Sequence, residues 1–120
     1  MDLCNVYTAA ERPERAMELL DIVGLSAQAG KLPASVSSGQ QQAAAIARAM
    51  ATDPPIIVAD EPTGNLDSRS ADAIIGLFDT MVAKGKTIII VTHDPTITKR
   101  TARTLIISDG EVINETIARA

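Results

Sequence analysis

Apolar residues recur at helical spacing in three segments of the 120-residue chain. The first segment begins at Pro13, which suits the first turn of a helix, and ends at Gly24. The second covers residues 40–51, which are rich in alanine and glutamine, and the third covers residues 71–82 before Gly85. The apolar stripes comprise Ala16, Leu19, Leu20 and Val23; Ala43, Ile46, Ala47 and Met50; and Ala71, Ile74, Ile75, Phe78 and Val82. We therefore expect three helices.

Strands are predicted between and after these helices. Residues 56–59 form a short, unbroken apolar run, which is typical of a strand buried on both faces, and residues 87–92 form a second run of this kind. Residues 103–108 give a third strand. The Asp-Gly pair at 109–110 is a strong hairpin signal, so residues 111–116 are expected to return as an edge strand.

The order of these elements predicts an α/β fold. Strands that alternate with helices favour a mainly parallel sheet with flanking helices, here followed by a C-terminal β-hairpin. We expect one domain over residues 1–120. Within it, a helical part (about 1–54) precedes an α/β part (about 55–120), and a loop is expected over residues 25–35.

Composition and charge narrow the classes of function. The chain is 46% hydrophobic, which suffices for a core, and its formal charge of −4 argues against nucleic acid as a partner. The single cysteine, Cys4, excludes an internal disulfide and fits a reducing cytoplasm. No apolar run approaches the length of a membrane span and no signal peptide is visible at the N-terminus, so we expect any membrane link to come through a partner.

Two acids, Asp60 and Glu61, follow the first predicted strand. Open α/β sheets bind ligands at this end of their strands, and adjacent strand residues point to opposite sides. Asp60 is therefore a candidate ligand for Mg²⁺, and Glu61 is a candidate to orient or deprotonate a water molecule. The alternative is a solvated acidic turn.

His93, the only histidine, follows the second predicted strand directly. Because parallel strands end at one edge of a sheet, His93 is expected to approach Glu61. Its imidazole would there hydrogen-bond a phosphate or a water. The alternative is a histidine with a capping role before Asp94.

Small residues precede the second helix, at Ser37, Ser38 and Gly39, followed by Gln40. Exposed backbone N–H groups and serine hydroxyls at a helix N-terminus attract anions. The alternative is ordinary N-capping by serine. Asp67 lies in the loop after the two acids, directly before the third helix. Its ordinary interpretation is a cap for that helix.

Together these segments resemble the ATP-binding subunits of ABC transporters. VSSGQQQ (residues 36–42) is similar to the signature loop, IIVADEP (residues 56–62) to Walker B, and GNLD (residues 64–67) to the D-loop, while His93 corresponds to the switch histidine. The four motifs occur in the family's order and spacing. The sequence ADEPTGNLD (residues 59–67) is most similar to the corresponding segment of subunits that serve lipoprotein release or macrolide and peptide export.

The resemblance implies a partial P-loop NTPase (ABC ATPase) fold and assigns roles to the matched positions. Asp60 would bind Mg²⁺, Glu61 would be the general base and His93 would contact the γ-phosphate of ATP. The signature loop residues Ser37, Ser38, Gly39 and Gln40 would bind the nucleotide of an opposite subunit. Asp67 would act across the same interface.

The resemblance also implies partners and a location. A transmembrane permease subunit is expected, together with a second ATP-binding subunit or self-association. ATP and Mg²⁺ are the implied cofactors. The protein would lie in the cytoplasm, peripheral to the inner (plasma) membrane and attached through the permease, with no direct membrane insertion.

The chain departs from the family pattern in two respects that bear on activity. Nothing in it matches G-x-x-x-x-G-K-[ST], the loop that binds phosphates, so the chain resembles the C-terminal portion of such a subunit. We therefore expect the isolated chain neither to bind ATP tightly nor to hydrolyse it. In addition, Ser38 replaces a glycine of the signature loop, and we expect strain or a shift there.

Two other classes of function stay open at this point. The chain is alternatively a non-catalytic binding module that lends its signature loop in trans to a complete ATPase. A lobe of a chromosome-maintenance ATPase is disfavoured, because the motif wording is that of transporters and no heptads flank the motifs.

The resemblance places the missing phosphate-binding strand between strands 87–92 and 103–108. We expect the gap to be closed by direct pairing of these two strands, or by a second copy of the chain, because unpaired strand edges are costly.

Overall fold

The computed structural model describes residues 11–32 and 35–117. Cys4 and residues 33–34 of the predicted loop lie outside this part. In chain order the elements are α1 (Arg12–Ile22), a 3₁₀ turn (Ser26–Gln28), α2 (Ser38–Ala49), β1 (Ile56–Asp60), α3 (Ser68–Ala83), β2 (Thr87–Val91), α4 (Pro95–Thr98), β3 (Arg103–Ser108) and β4 (Glu111–Ile117). The predicted order of elements is confirmed.

Helices α1 and α3 end where the sequence places glycine. Gly24 and Gly85 adopt φ values of +77° and +93°, a left-handed conformation that favours glycine and stops α1 and α3. No helix in the described part of the chain is long and apolar enough to cross a membrane.

One aliphatic core joins the helices to a sheet face, and Phe78 is its aromatic member. Most of the predicted helical stripes pack into it. Val82 is an exception, because it is 53% exposed. The preceding residue, Met81, is 1% exposed and belongs to the core in its stead. The buried residues are Leu19, Leu25, Ala43, Ile46, Ala47, Met50, Ala51, Ile57, Ile74, Ile75, Phe78, Met81 and Ile97.

Strands β1 and β2 pair in parallel and place alternate residues on two faces. Ile57 and Ala59, with Ile88 and Ile90 of β2, pack toward the helical core. The opposite face, formed by Ile56, Val58, Ile89 and Val91, is exposed. The prediction of strands buried on both faces is therefore wrong for the described residues, because helices cover only one side of the sheet.

Strands β3 and β4 form the predicted antiparallel hairpin. Asp109 and Gly110 have φ values of +52° and +78°, as expected for a two-residue turn with positive φ at both positions. The register shifts between Ile106 and Ile107, which marks a bulge.

The hairpin is a sheet of its own, and β2 does not pair with β3. The predicted direct pairing of strands 87–92 and 103–108 is wrong. The segment between β2 and β3 forms the short helix α4, whose Ile97 is buried in the helical core, and β3 begins after this helix without reaching the edge of β2. Closure by a second copy stays a prediction.

Lysine and arginine side chains connect the elements around the sheet. The Lys86 ammonium donates to the Asp53 carboxylate and, at 2.8 Å, to the Pro54 carbonyl, so it ties the start of β2 to the segment before β1. Arg100 reaches Asp72 and Asp79 of α3 at 3.4 and 3.0 Å and holds α4 against that helix. The Lys86 contacts lie at the amino ends of β1 and β2, opposite the ends that carry Glu61 and His93.

Candidate functional site

The carboxyl ends of β1 and β2 bring Glu61 and His93 together. Asp60 is in register with Val91, and the Glu61 N–H donates to the Val91 carbonyl at 2.7 Å. Glu61 has a φ of +47°, a left-handed conformation that is uncommon outside glycine. Strain of this kind is a frequent feature of functional sites.

The Glu61 carboxylate accepts three hydrogen bonds from the end of β2. Its Oε1 atom lies 2.6 Å from His93 Nδ1 and 3.1 Å from the His93 backbone nitrogen. Its Oε2 atom lies 3.1 Å from the Thr92 hydroxyl. The predicted approach of His93 to Glu61 is confirmed. Thr92 was missed in the sequence, because a single threonine at the end of a strand carries little signal.

These contacts keep Glu61 ionised. Partial desolvation acts to raise the pKa of Glu61, but the hydrogen bonds from His93 and Thr92 outweigh it and hold the pKa below its usual value. An ionised carboxylate only accepts hydrogen bonds, so His93 Nδ1 carries the proton of the 2.6 Å contact. The imidazole itself is largely exposed, with Nε2 as its second polar atom.

Asp60 lies on the exposed face of β1, with Ile56 and Val58. No group of three histidine, cysteine or acidic side chains with metal-site geometry occurs among the described residues. Mg²⁺ commonly takes only one or two protein carboxylates and completes its shell with water and phosphate oxygens. An exposed Asp60 carboxylate fits that kind of coordination.

The residues predicted to bind an anion lie at the start of α2. Ser37 is the N-cap, and its hydroxyl accepts from the Gln40 N–H at 3.1 Å while the Gln40 side chain accepts from the Ser37 N–H at 3.0 Å. This reciprocal capping box confirms the N-capping alternative for Ser37. Ser38 lies in the regular first turn of α2 and does not have a positive φ. The prediction that a serine in place of glycine strains this loop is therefore wrong.

Gly39 makes a close contact with α3. A Cβ atom at this position would lie 3.0 Å from both Cβ and Oγ of Ser70. Asp67 is the N-cap of α3, and the Ser70 hydroxyl, with the backbone N–H, lowers the pKa of its carboxyl. Ser70, also missed in the sequence, thus brings the first turn of α3 against the signature loop.

A cavity of about 240 Å³ separates α2 from the segment after β1. Ser38, at the start of α2, lines one side and Glu61 lines the other. The structure therefore brings Glu61 and His93 together and packs Gly39 against Ser70 in the first turn of α3, which follows the N-cap Asp67. The other residues lining the cavity are Gln41, Gln42, Pro62, Gly64, Asn65 and Leu66.

Comparison with protein families identifies the framework of this site. The family described as "ABC transporter" matches residues 4–64, which include the signature loop and Walker B. The chain belongs to the ABC transporter ATP-binding family. The resemblance inferred from the motifs is confirmed.

Curated relatives from this ABC transporter family align along most of the chain. An uncharacterised ABC transporter ATP-binding protein, YvrO of Bacillus subtilis, is 48% identical over 109 residues, which are 91% of this chain and 48% of the relative. The macrolide export ATP-binding/permease protein MacB 1/2 of Paracoccus denitrificans is 46% identical over 105 residues, which are 88% of this chain and 16% of that protein. The chain spans about half of the first relative and a smaller share of the second.

Solved ABC cassettes share the fold. The dimeric structure of MJ0796, a bacterial ABC transporter cassette, has a TM-score of 0.79 and 41% identity and covers 97% of this chain, which corresponds to 51% of the cassette. A nucleotide-free ATP-binding cassette from an ABC transporter has a TM-score of 0.88 and 25% identity over 98% of this chain and 47% of its own. The predicted partial ABC ATPase fold is confirmed.

Proposed function

We propose that this chain is the C-terminal portion of an ATP-hydrolysing subunit, which in complete form couples hydrolysis to membrane transport. The observation that carries the proposal is the contact of 2.6 Å between Glu61 Oε1 and His93 Nδ1. It joins an ionised base to an imidazole at the edge of the sheet where α/β folds bind ligands.

Glu61 is the general base and His93 the phosphate contact in this proposal. Because Nδ1 donates to Glu61, the outward Nε2 of a neutral imidazole would present a lone pair. A phosphate oxygen would repel that lone pair. A hydrogen bond from His93 to a phosphate oxygen therefore requires a proton on Nε2 as well as on Nδ1.

Asp60 supplies a carboxylate to Mg²⁺, and the nucleotide phosphates and water supply its other oxygens. When bound, Mg²⁺ neutralises charge on the phosphates. The separate position of Asp60, on the exposed face of β1, supports a role distinct from that of Glu61.

The signature loop residues Ser37, Ser38, Gly39 and Gln40 serve the nucleotide of a second ATP-binding subunit. The support is the 12-residue helix α2, whose first turn presents backbone N–H groups and the positive end of the helix dipole. Asp67 acts across the same interface. A relative of known structure is described as dimeric, which agrees with this arrangement.

The membrane link is made through a permease. Several relatives are named as ATP-binding/permease proteins, and they contain the matching segment within a longer chain. The chain described here would accordingly lie on the cytoplasmic side of the inner membrane, held there by a transmembrane subunit.

A second candidate is a non-catalytic module that lends its signature loop to a complete ATPase in trans. The capped start of α2 favours it, because the loop is built entirely from residues of this chain. This candidate predicts that the chain co-purifies with an intact ATP-binding subunit. Substitution of Ser37 or Gly39 should abolish the co-purification.

The proposal is tested by completing the cassette. The segment of the Bacillus subtilis relative that precedes its match is fused to this chain, to give what we name the completed cassette. We expect the completed cassette to hydrolyse Mg-ATP and the 120-residue chain not to hydrolyse it. By calorimetry the 120-residue chain should show no micromolar affinity for Mg-ATP. Micromolar binding or hydrolysis by the chain alone would refute the need for a phosphate-binding loop.

A further inference from the structure

Thr92 connects the candidate base to the turn after β2. Its side chain is partly buried, and its hydroxyl lies 3.1 Å from Glu61 Oε2 and 3.0 Å from the Asp94 backbone nitrogen. The Asp94 N–H can only donate, so the Thr92 oxygen accepts from it. The hydroxyl proton is then directed at Glu61.

The two oxygens of Glu61 are not equivalent. Among the described residues, Oε1 accepts from two groups of His93, the backbone N–H and Nδ1–H, whereas Oε2 accepts only from Thr92. Each carboxylate oxygen has about two lone-pair sites. Oε1 is therefore saturated by the described contacts, and Oε2 keeps one site for a further donor.

The end of β2 also fixes the backbone of Glu61. The Glu61 N–H donates to the Val91 carbonyl at 2.7 Å, so three successive residues of β2 and its turn, Val91, Thr92 and His93, hold this one glutamate. Its left-handed φ of +47° makes such support necessary, because that conformation is costly for a residue with a Cβ.

We propose that Thr92 is a positioning residue that aims Glu61 Oε2 so that this oxygen, and not Oε1, takes the proton of the attacking water. The inference rests on the proposed role of Glu61 as general base. In the step, one O–H bond of water breaks and its proton passes to Oε2. The water oxygen bonds to the terminal phosphorus of a nucleoside triphosphate, and the bridging oxygen leaves with its electron pair on the diphosphate.

Two variants separate the hydroxyl from the space it fills. Thr92→Val removes the hydroxyl with little change of shape, and Thr92→Ser keeps the hydroxyl and loses a methyl group. Carbon-13 NMR of the Glu61 carboxyl is recorded at neutral pH in the 120-residue chain without nucleotide. We expect Thr92→Val to shift the Glu61 carboxyl resonance, because Oε2 loses its hydrogen bond, and Thr92→Ser to leave it as in the wild type. An unchanged resonance in Thr92→Val would overturn the inference.

A second readout comes from hydrolysis by the completed cassette. A hydrogen bond to a charged group is worth about 1.5–3 kcal/mol, which corresponds to a roughly 10- to 150-fold change in rate. We expect Thr92→Val to lower kcat by such a factor with little change in KM, and Thr92→Ser to restore it. Chemical-shift dispersion checks that each variant is folded, and if Thr92→Val is not, Thr92→Ala takes its place.

Failure of this inference is distinguishable from failure of the proposed function. If Glu61→Gln abolishes hydrolysis while Thr92→Val retains the wild-type kcat, Glu61 is the base and Thr92 does not position it. If Glu61→Gln hydrolyses ATP as the wild type does, Glu61 is not the general base and Thr92 has no base to position. If the wild-type completed cassette does not hydrolyse Mg-ATP, the proposed function itself is wrong.

Discussion

Gly39 at the start of α2 and Ser70 in the first turn of α3 are in such close contact that a Cβ atom on residue 39 would lie 3.0 Å from the side chain of Ser70. Gly39 belongs to the signature loop and Ser70 follows the D-loop, so β1 separates the two residues in the sequence. Their contact makes the position of the signature loop dependent on the start of α3, where Asp67 is the N-cap.

Gly39→Ala should therefore destabilise the chain, although alanine is the better helix former. We expect a loss of about 1–3 kcal/mol in the free energy of unfolding, the usual cost of overpacking, measured by urea denaturation. Adding Ser70→Gly should make the double variant more stable than the sum of the two single changes predicts.

Gly76→Ala is the matched control for this contact. Gly76 also lies within a helix, but a Cβ atom there would meet nothing within 4 Å. We expect this variant to be more stable than the wild type by roughly 0.5–1 kcal/mol. Equal effects of the two alanine substitutions would contradict the importance of the contact between Gly39 and Ser70.

The hydrogen bonds to Glu61 predict a particular dependence of stability on acid. Because the folded-state pKa of Glu61 is below its unfolded value, its contribution is present above the unfolded pKa, near 4.5, and is lost as pH falls through the folded pKa. We expect the loss of unfolding free energy between pH 7 and pH 3 to be smaller in Glu61→Gln than in the wild type. Urea titrations at both pH values measure it, and equal losses in the two proteins would contradict the expectation.

The exposed apolar face of β1 and β2 should cause the isolated chain to associate with a second copy. Val58 and Ile89 are neighbours in register on this face and are 66% and 49% exposed. Both outer edges of this two-stranded sheet lack a partner strand in the described residues, which favours association. We expect a dimer or larger species in sedimentation velocity, and a monomer when Val58→Lys and Ile89→Lys are combined.

Val82→Lys serves as the control for charge and exposure, because Val82 is 53% exposed on α3, away from this sheet face. It should associate like the wild type. A monomeric wild-type chain would exclude the prediction that a second copy of the chain closes the gap between strands 87–92 and 103–108.

The sequence was most informative where local chemistry determines the structure. Helical periodicity, the glycines at 24 and 85 and the Asp-Gly turn act within a few residues, and each predicted its element. The meeting of Glu61 and His93 followed from a general property of parallel sheets, that their strands end at one edge.

Properties that depend on the surroundings of an element were not predictable from its own residues. An apolar strand such as β1 has the same sequence whether one or both faces are covered, and only the structure shows Val58 exposed. Ser70 and Thr92 act through contacts with distant residues, and a single serine or threonine carries little signal in a sequence. Whether β2 pairs with β3 depends on the path of the intervening segment through α4, which the residues of the two strands do not determine.

The central claim is that Glu61, in contact with His93, is the general base for ATP hydrolysis. The most direct test is the rate of hydrolysis by the completed cassette that carries Glu61→Gln. General-base catalysis contributes about 10²–10⁴ in rate, so kcat for Mg-ATP should fall by at least about 100-fold. Glu111→Gln makes the same chemical change at an exposed position of β4 and should keep the wild-type kcat. A Glu61→Gln cassette that hydrolyses ATP within a few-fold of the wild-type rate would contradict the account.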